Sequence, residues 1–157
     1  MSEQLDIDLE IMASKPEVGL VEKEMIPYLW PQILEILLEK GKKWLEIVDE
    51  RDVYVQLCRG EVDLWCAMHG GRLDGFMICG WERHGRGSYY HVIFLAGEKL
   101  EKYLSIGLEK IERYASIMSA TEVVLEGRKG FARLLRKHGY YQNTIRMRKS
   151  VRILWRN

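Results

Sequence analysis

Residues 63–95 constrain this chain more than any other stretch. Two apolar runs, 63–68 and 73–81, flank His69, Gly70, Gly71 and Arg72, and a second break at 84–88 leads into a third run at 89–95. Apolar runs on either side of a Gly-Gly pair read as a β-hairpin, because tight hairpin turns need the positive φ that glycine adopts without strain. With the second break carrying Gly85 and Gly87, the stretch predicts three consecutive antiparallel strands.

The pattern then changes period. Leu100, Tyr103, Leu104, Leu108, Ile111, Ala115 and Met118 form one apolar stripe at helical spacing, predicting a long helix over 98–119 with these side chains in the core. Residues 122–126 read as a strand and 131–138 as a short helix. Residues 144–153 read as a last strand, in which apolar positions alternate with Arg146, Arg148, Lys149 and Arg152, as suits a half-buried edge that resists aggregation. Upstream, 18–22 reads as a short strand ending before Pro27. Trp30, Ile33, Leu34, Leu37 and Leu38 predict a helix with Pro31 in its first turn, ending near Gly41 or Lys43. A second helix is expected over 50–59, with Val53, Leu57 and Tyr54 inward and Gly60 as its stop. The order is β-α-α-β-β-β-α-β-α-β: an α/β chain with a mixed sheet, whose helix between the fourth and fifth strands is long enough for a right-handed crossover joining parallel neighbours. Residues 1–15 are expected to be a loose arm and 16–157 a single domain.

At 157 residues, 47% apolar and 30% charged, the chain has the length and balance of one globular domain. No stretch approaches the roughly 20 apolar residues of a membrane span, and the acidic start lacks the layout of a signal peptide, which places the protein in the cytoplasm when it is made. Cys58, Cys66 and Cys79 are odd in number and lack C-x-x-C spacing, so no disulfide framework or zinc knuckle is indicated. Cys66 and Cys79 fall in apolar strands and read as small hydrophobes. No His/Cys metal spacing or Ser/His/Asp set is present among the four histidines and their neighbours.

Charge is distributed unevenly. Residues 1–60 hold 13 acidic and 7 basic side chains, residues 61–157 hold 10 and 17, and after Glu126 ten bases follow with no acid. This basic C-terminal third either attracts nucleic acid, an acidic protein or a phosphorylated ligand, or docks against the acidic N-terminal half. Arg128, Lys129 and Arg133 are the candidate anion or nucleic-acid contacts, whereas Gly127 and Gly130 permit a sharp strand-to-helix reversal.

The element order resembles the fold of the GCN5-related N-acetyltransferases (GNAT). The stretch 121–140 is similar to the degenerate acetyltransferase-like proteins of bacteriophages: a strand, then Gly127-Arg128-x-Gly130-Phe131-x-Arg133, then a short helix ending in Gly139-Tyr140. The run from Met68 to Phe76 resembles the family's second hairpin, and Phe94 to Leu100 resembles the phage branch's turn into the long helix. The resemblance implies an acyl-coenzyme A site where the fourth and fifth strands splay apart, with Phe94, Leu95, Gly97, Glu98, Lys99 and Leu100 as the cofactor-binding residues. Helix N-termini present unpaired N–H groups to phosphate. Here the amides of Gly97, Glu98, Lys99 and Leu100 would serve, with the Lys99 side chain adding charge. Two features depart from the family. Ala96-Gly97-Glu98 stands where a longer glycine-rich loop is usual, and Leu135 stands where a tyrosine commonly protonates the leaving thiolate.

Candidate catalytic groups in their place are His91, Glu82 and Tyr140. The competing readings make His91 a hydrogen-bonded structural residue and Glu82 a surface acid paired with Arg83 or Arg86. Two functions follow. One is an acyl-CoA-dependent N-acyltransferase acting on an amine, with no metal. The other is a non-catalytic protein on the same scaffold, with a virion or other protein partner, or bound to nucleic acid through its basic end. The phage resemblance implies a bacterial host cytoplasm or the virion as location.

Overall fold

The computed structural model describes residues 17–126 and 129–142, with Lys129 and Gly130 described by their backbone alone. It contains two compact units, Met1–Glu126 and Gly127–Asn157. Among the described residues no helix is long and apolar enough to cross a membrane.

The first unit is built on a five-stranded sheet in the order β1-β2-β3-β4-β5. Its strands are β1 (Glu17–Leu20), β2 (Asp63–His69), β3 (Arg72–His84), β4 (Gly87–Gly97) and β5 (Glu122–Leu125). The first four pair antiparallel and β5 pairs parallel to β4. The Gly-Gly turn forms as expected, with Gly70 and Gly71 both at positive φ (59° and 74°). The second break contracts to a turn at Gly85 (φ 60°) and Arg86, so β3 and β4 run well past the apolar runs that announce them. Polar ends such as Glu82 and His84 remain in the ladder because main-chain pairing does not depend on side-chain character.

Between β1 and β2 lie a short 3-10 turn, Lys23–Met25, and helices α1 (Ile26–Lys40), α2 (Lys42–Leu45) and α3 (Glu50–Arg59). α1 begins four residues before the apolar periodicity does and carries Pro31 within it. The single-turn α2 was not expected as a separate element. α3 matches its predicted range: Asp49 caps it by accepting the Arg51 N–H at 2.8 Å, and Gly60, left-handed at φ 70°, ends it. On this face Ile26, Ile33, Leu37, Val53 and Leu57 pack with Leu64, Cys66, Leu73, Phe76 and Ile78. Leu38, counted in the apolar pattern, is 50% exposed instead.

The long helix is α4 (Leu100–Ile117), which covers the other face. It starts two residues later than its predicted range, at the first residue of the apolar stripe, with Lys99 as its N-cap. Tyr103, Leu104, Leu108, Ile111 and Ala115 are buried, but Met118 lies beyond the helix and is 54% exposed. Gly107 lets α4 sit close to the sheet, since a Cβ there would come within 3.2 Å of Met77 Cε. Between the helix and the sheet Tyr90 is fully buried. Its hydroxyl donates to Asp63 Oδ2 at 2.7 Å and accepts from Trp65 Nε1 at 2.9 Å, and burial pushes its phenol pKa well above the ordinary value.

The first strand is displaced by one to two residues from its predicted range, to Glu17–Leu20. In the second unit, α5 spans Lys129–Arg136 and a turn at Gly139 (φ 85°) follows. The predicted strand over 144–153, the arm over 1–15, and Gly127 and Arg128 lie outside the described residues.

Candidate functional site

The parallel ladder between β4 and β5 is short. It pairs Tyr89 with Glu122, Tyr90 with Val123, His91 with Val124 and Val92 with Leu125, and goes no further. β4 itself continues through Gly97, so residues 93–97 extend beyond the last β5 pair. All four residues of β5 are paired, and a β-bulge on β4 lies just beyond the last pair. Cys79 pairs with Val92 and Ile78 with Phe94, leaving Ile93 as the extra residue on β4, and bulges bend a strand and sharpen its twist.

The bulge also decides where side chains go. Phe94 stacks on Trp44 (centroids 4.6 Å apart) and leans on Phe76 (5.6 Å), while Ile93 reaches toward Gly80. Both lie on the α1/α3 face. Leu95 and Leu100 instead line a cavity of about 30 Å³ on the α4 face, with Val18, Tyr103 and Leu104. That volume holds about one water and no ligand. Neither Phe94 nor Tyr90 turns toward β5, and what the far end of β4 offers there is main chain.

His91 sits on the last stretch of β4 still paired with β5 and has a 13% exposed side chain. Its Nδ1 is 2.7 Å from Glu82 Oε1, and Glu82 Oε2 is 3.3 Å from His84 Nε2. The hydrogen bond from His91 is the chief cause that holds the Glu82 carboxyl below its ordinary pKa; partial burial opposes it and the bond from His84 assists. Ionised Glu82 can only accept, so Nδ1 of His91 carries a proton, and in the neutral ring the lone pair is on Nε2. That Nε2 is buried, makes no hydrogen bond among the described residues, and lies 3.9 Å from Glu126 Oε1. The structure thus joins two of the three catalytic candidates. Glu82 is engaged by two histidines rather than by Arg83 or Arg86. Glu126, which is not among the sequence candidates, stands beside the imidazole; no local pattern announces this, because it depends on the β4–β5 register.

Tyr140, the third candidate, belongs to the second unit, where its N–H donates to Leu135 O at 3.2 Å. Leu135 is buried and Arg133 is exposed. Lys129 begins α5, and Arg128 lies outside the described residues.

The turn from β4 into α4 is built from the remaining candidates. Gly97, at φ 154°, crosses Gly75 so closely that a Cβ would come within 2.5 Å of Gly75 Cα and 2.6 Å of Asp74 O. The Glu98 N–H donates to Asp74 O at 2.9 Å, so this amide is occupied within the protein. Lys99 is left-handed at φ 54°, and its carbonyl accepts from Lys102 and Tyr103. The amides of Lys99, Leu100 and Glu101 therefore open the helix as its unpaired first turn. Among the described residues no three His, Cys, Asp or Glu side chains converge as a metal set.

Neither a protein-family model nor a curated protein sequence matches the chain. Solved structures do. An aminoglycoside acetyltransferase from an uncultured soil metagenomic sample, in complex with sisomicin, superposes with a TM-score of 0.65 at 11% identity, covering 87% of this chain and 97% of that one. A predicted acetyltransferase with acetyl-CoA from Clostridium acetobutylicum gives 0.63 at 13% identity, covering 91% and 100%. The ribosomal-protein-alanine N-acetyltransferase from Brucella melitensis gives 0.59 at 14%, covering 85% and 99%. The chain has the GNAT acetyltransferase fold. In this chain β4 runs past its last β5 pair through the bulge at Ile93 and on to the opening turn of α4.

Proposed function

We propose that the protein is an acyl-CoA-dependent N-acyltransferase in which His91 is the general base. The observation that carries this reading is the His91 side chain itself: oriented through Nδ1 by Glu82 at 2.7 Å, with a buried Nε2 that has no hydrogen bond among the described residues. A buried imidazole in a purely structural role would satisfy both nitrogens.

Acyl-CoA, when bound, supplies an electrophilic thioester carbonyl. The peptide groups of residues 93–97 would hold its pantetheine portion, and the amides of Lys99, Leu100 and Glu101, with the Lys99 ammonium, its phosphates. His91 Nε2 takes a proton from the acceptor ammonium or amine, directly or through one water, and Glu82 and Glu126 stabilise the resulting imidazolium. The same two carboxylates favour a cationic amine as acceptor. With Leu135 in place of a tyrosine, the family's usual acid for the leaving thiolate is missing at that position. A thiol ionises near neutral pH, so its departure is slowed rather than prevented.

The phage-type character rests on the sequence patterns of 121–140 and 94–100. Calorimetric titration with acetyl-CoA, followed by transfer assays on a panel of amines, tests the reading. Saturable one-to-one binding and turnover that falls on His91→Gln support it. No heat at millimolar acetyl-CoA from folded protein sinks it. That result would favour a non-catalytic role instead, with a virion partner or with nucleic acid held through Arg128, Lys129 and Arg133.

A further inference from the structure

Asp74 is unusual on three counts. It is the only charged side chain among the described residues with less than a tenth of its surface exposed, at 5%. It is also the extra residue of the second β-bulge, since Ala67 pairs with Gly75 and Met68 with Leu73. Finally, it holds the β4–α4 turn at both ends. Its main-chain oxygen accepts the Glu98 N–H at 2.9 Å where the chain leaves β4. Its Oδ2 accepts the Tyr103 hydroxyl at 2.5 Å one helical turn later, and exposed Arg72 approaches Oδ1 at 3.4 Å. On the other face, the Leu73 N–H freed by the bulge is taken by Gln32 Oε1 of α1 at 3.0 Å.

Burying a carboxylate is costly unless it is hydrogen-bonded, and nothing in the packing of β3 requires an acid there. What the arrangement achieves is local. Between the two contacts lies Lys99, a non-glycine residue in the left-handed region, a conformation that persists only where the surroundings over-determine it. We propose that Asp74 is the positioning residue of this turn, holding the Lys99, Leu100 and Glu101 amides in place for the donor's phosphates before the donor arrives. The assignment of those amides to phosphate rests on the acyltransfer reading; the clamp itself does not. The Tyr103 bond is also the chief cause that holds the Asp74 carboxyl below its ordinary pKa, in keeping with an acceptor that stays ionised.

The test is amide hydrogen exchange on the ligand-free protein, followed by titration with acetyl-CoA and with S-acetyl-pantetheine, which lacks the nucleotide and its phosphates. Tyr103→Phe removes one hydroxyl and keeps the ring. Asp74→Ala removes the carboxylate, and Asp74→Asn keeps an acceptor as the conservative control. In the first two variants, exchange at the hydrogen-bonded amides of Glu98, Lys102 and Tyr103 should rise about tenfold or more, as loss of a hydrogen bond to a charged group implies, with β2 amides unchanged. Acetyl-CoA affinity should fall about tenfold while S-acetyl-pantetheine affinity stays within about twofold, and Asp74→Asn should exchange like the wild type. Uniform acceleration, or none, overturns the clamp. Equal loss of both ligands overturns its link to the phosphates. If the wild type binds neither ligand, the acyltransfer reading and the phosphate role fall together, while exchange still decides the clamp.

Discussion

Glu82 Oε1 stands 2.7 Å from His91 Nδ1, across the ladder between β3 and β4. The contact determines which imidazole nitrogen is available for chemistry. His91→Ala should lower kcat for amine acetylation by roughly 10²- to 10⁴-fold, the usual range for a general base. Glu82→Gln, which loosens the tautomer without removing the base, should cost about tenfold. Both should leave the acetyl-CoA Kd within about twofold, since neither side chain is assigned to the donor. Steady-state rates together with calorimetry check the split between rate and binding.

Acid should destabilise the protein through Glu82 and Asp74. Each carboxyl is held below its ordinary value in the folded state, 4.5 for glutamate and 3.8 for aspartate. A depressed folded pKa stabilises the native state above the unfolded pKa, and the contribution is lost as pH falls through the folded value. The Tm should therefore decline as pH drops below about 4 to 5 from the loss of these two contributions. Asp74→Asn should show a shallower decline over that window in thermal scans. A slope unchanged from wild type would remove Asp74 as a contributor.

Gly97→Ala should destabilise the fold by about 2–3 kcal/mol, the range for overpacking against unyielding atoms. The added Cβ would meet main-chain atoms of Asp74 and Gly75 at 2.6 and 2.5 Å, and neither can rotate away. Gly71→Ala tests the alternative that backbone conformation alone is responsible. It has positive φ with nothing within 4 Å, and should cost about 1 kcal/mol. Denaturant midpoints at constant m-value distinguish the two.

The thiols should differ in reactivity. Burial pushes Cys66 and Cys79 up to about 12, so neither offers thiolate near neutral pH. Cys58 is only half-buried. A thiol reagent at pH 8 should titrate at most one of the three cysteines rapidly in the native protein and all three in denaturant. Fast modification of two or more under native conditions would contradict the packing of β2 and β3.

The sequence by itself determined the order of the strands and longer helices through α5, though not the single-turn α2, because hydrophobic period is a local property. The apolar runs of β2 to β4 and the helical stripe of α4 were legible without knowing what they pack against. The Gly70-Gly71 turn and the Gly60 stop were legible for the same reason, as backbone demands met by one residue type. Element ends were less so: β3 and β4 extend into polar residues, and Leu38 and Met118 turned outward, because only the neighbouring elements settle which side of a stripe is covered. The candidate site divides along the same line. His91 and Glu82 could be nominated singly from their chemistry, nine residues apart. Their 2.7 Å contact, the approach of Glu126, and the role of Asp74 beneath the β4–α4 turn depended on strand register and on two bulges. A one-residue shift in register reverses the face of every side chain that follows it. Such long-range geometry is set by tertiary packing, which no window of the sequence contains.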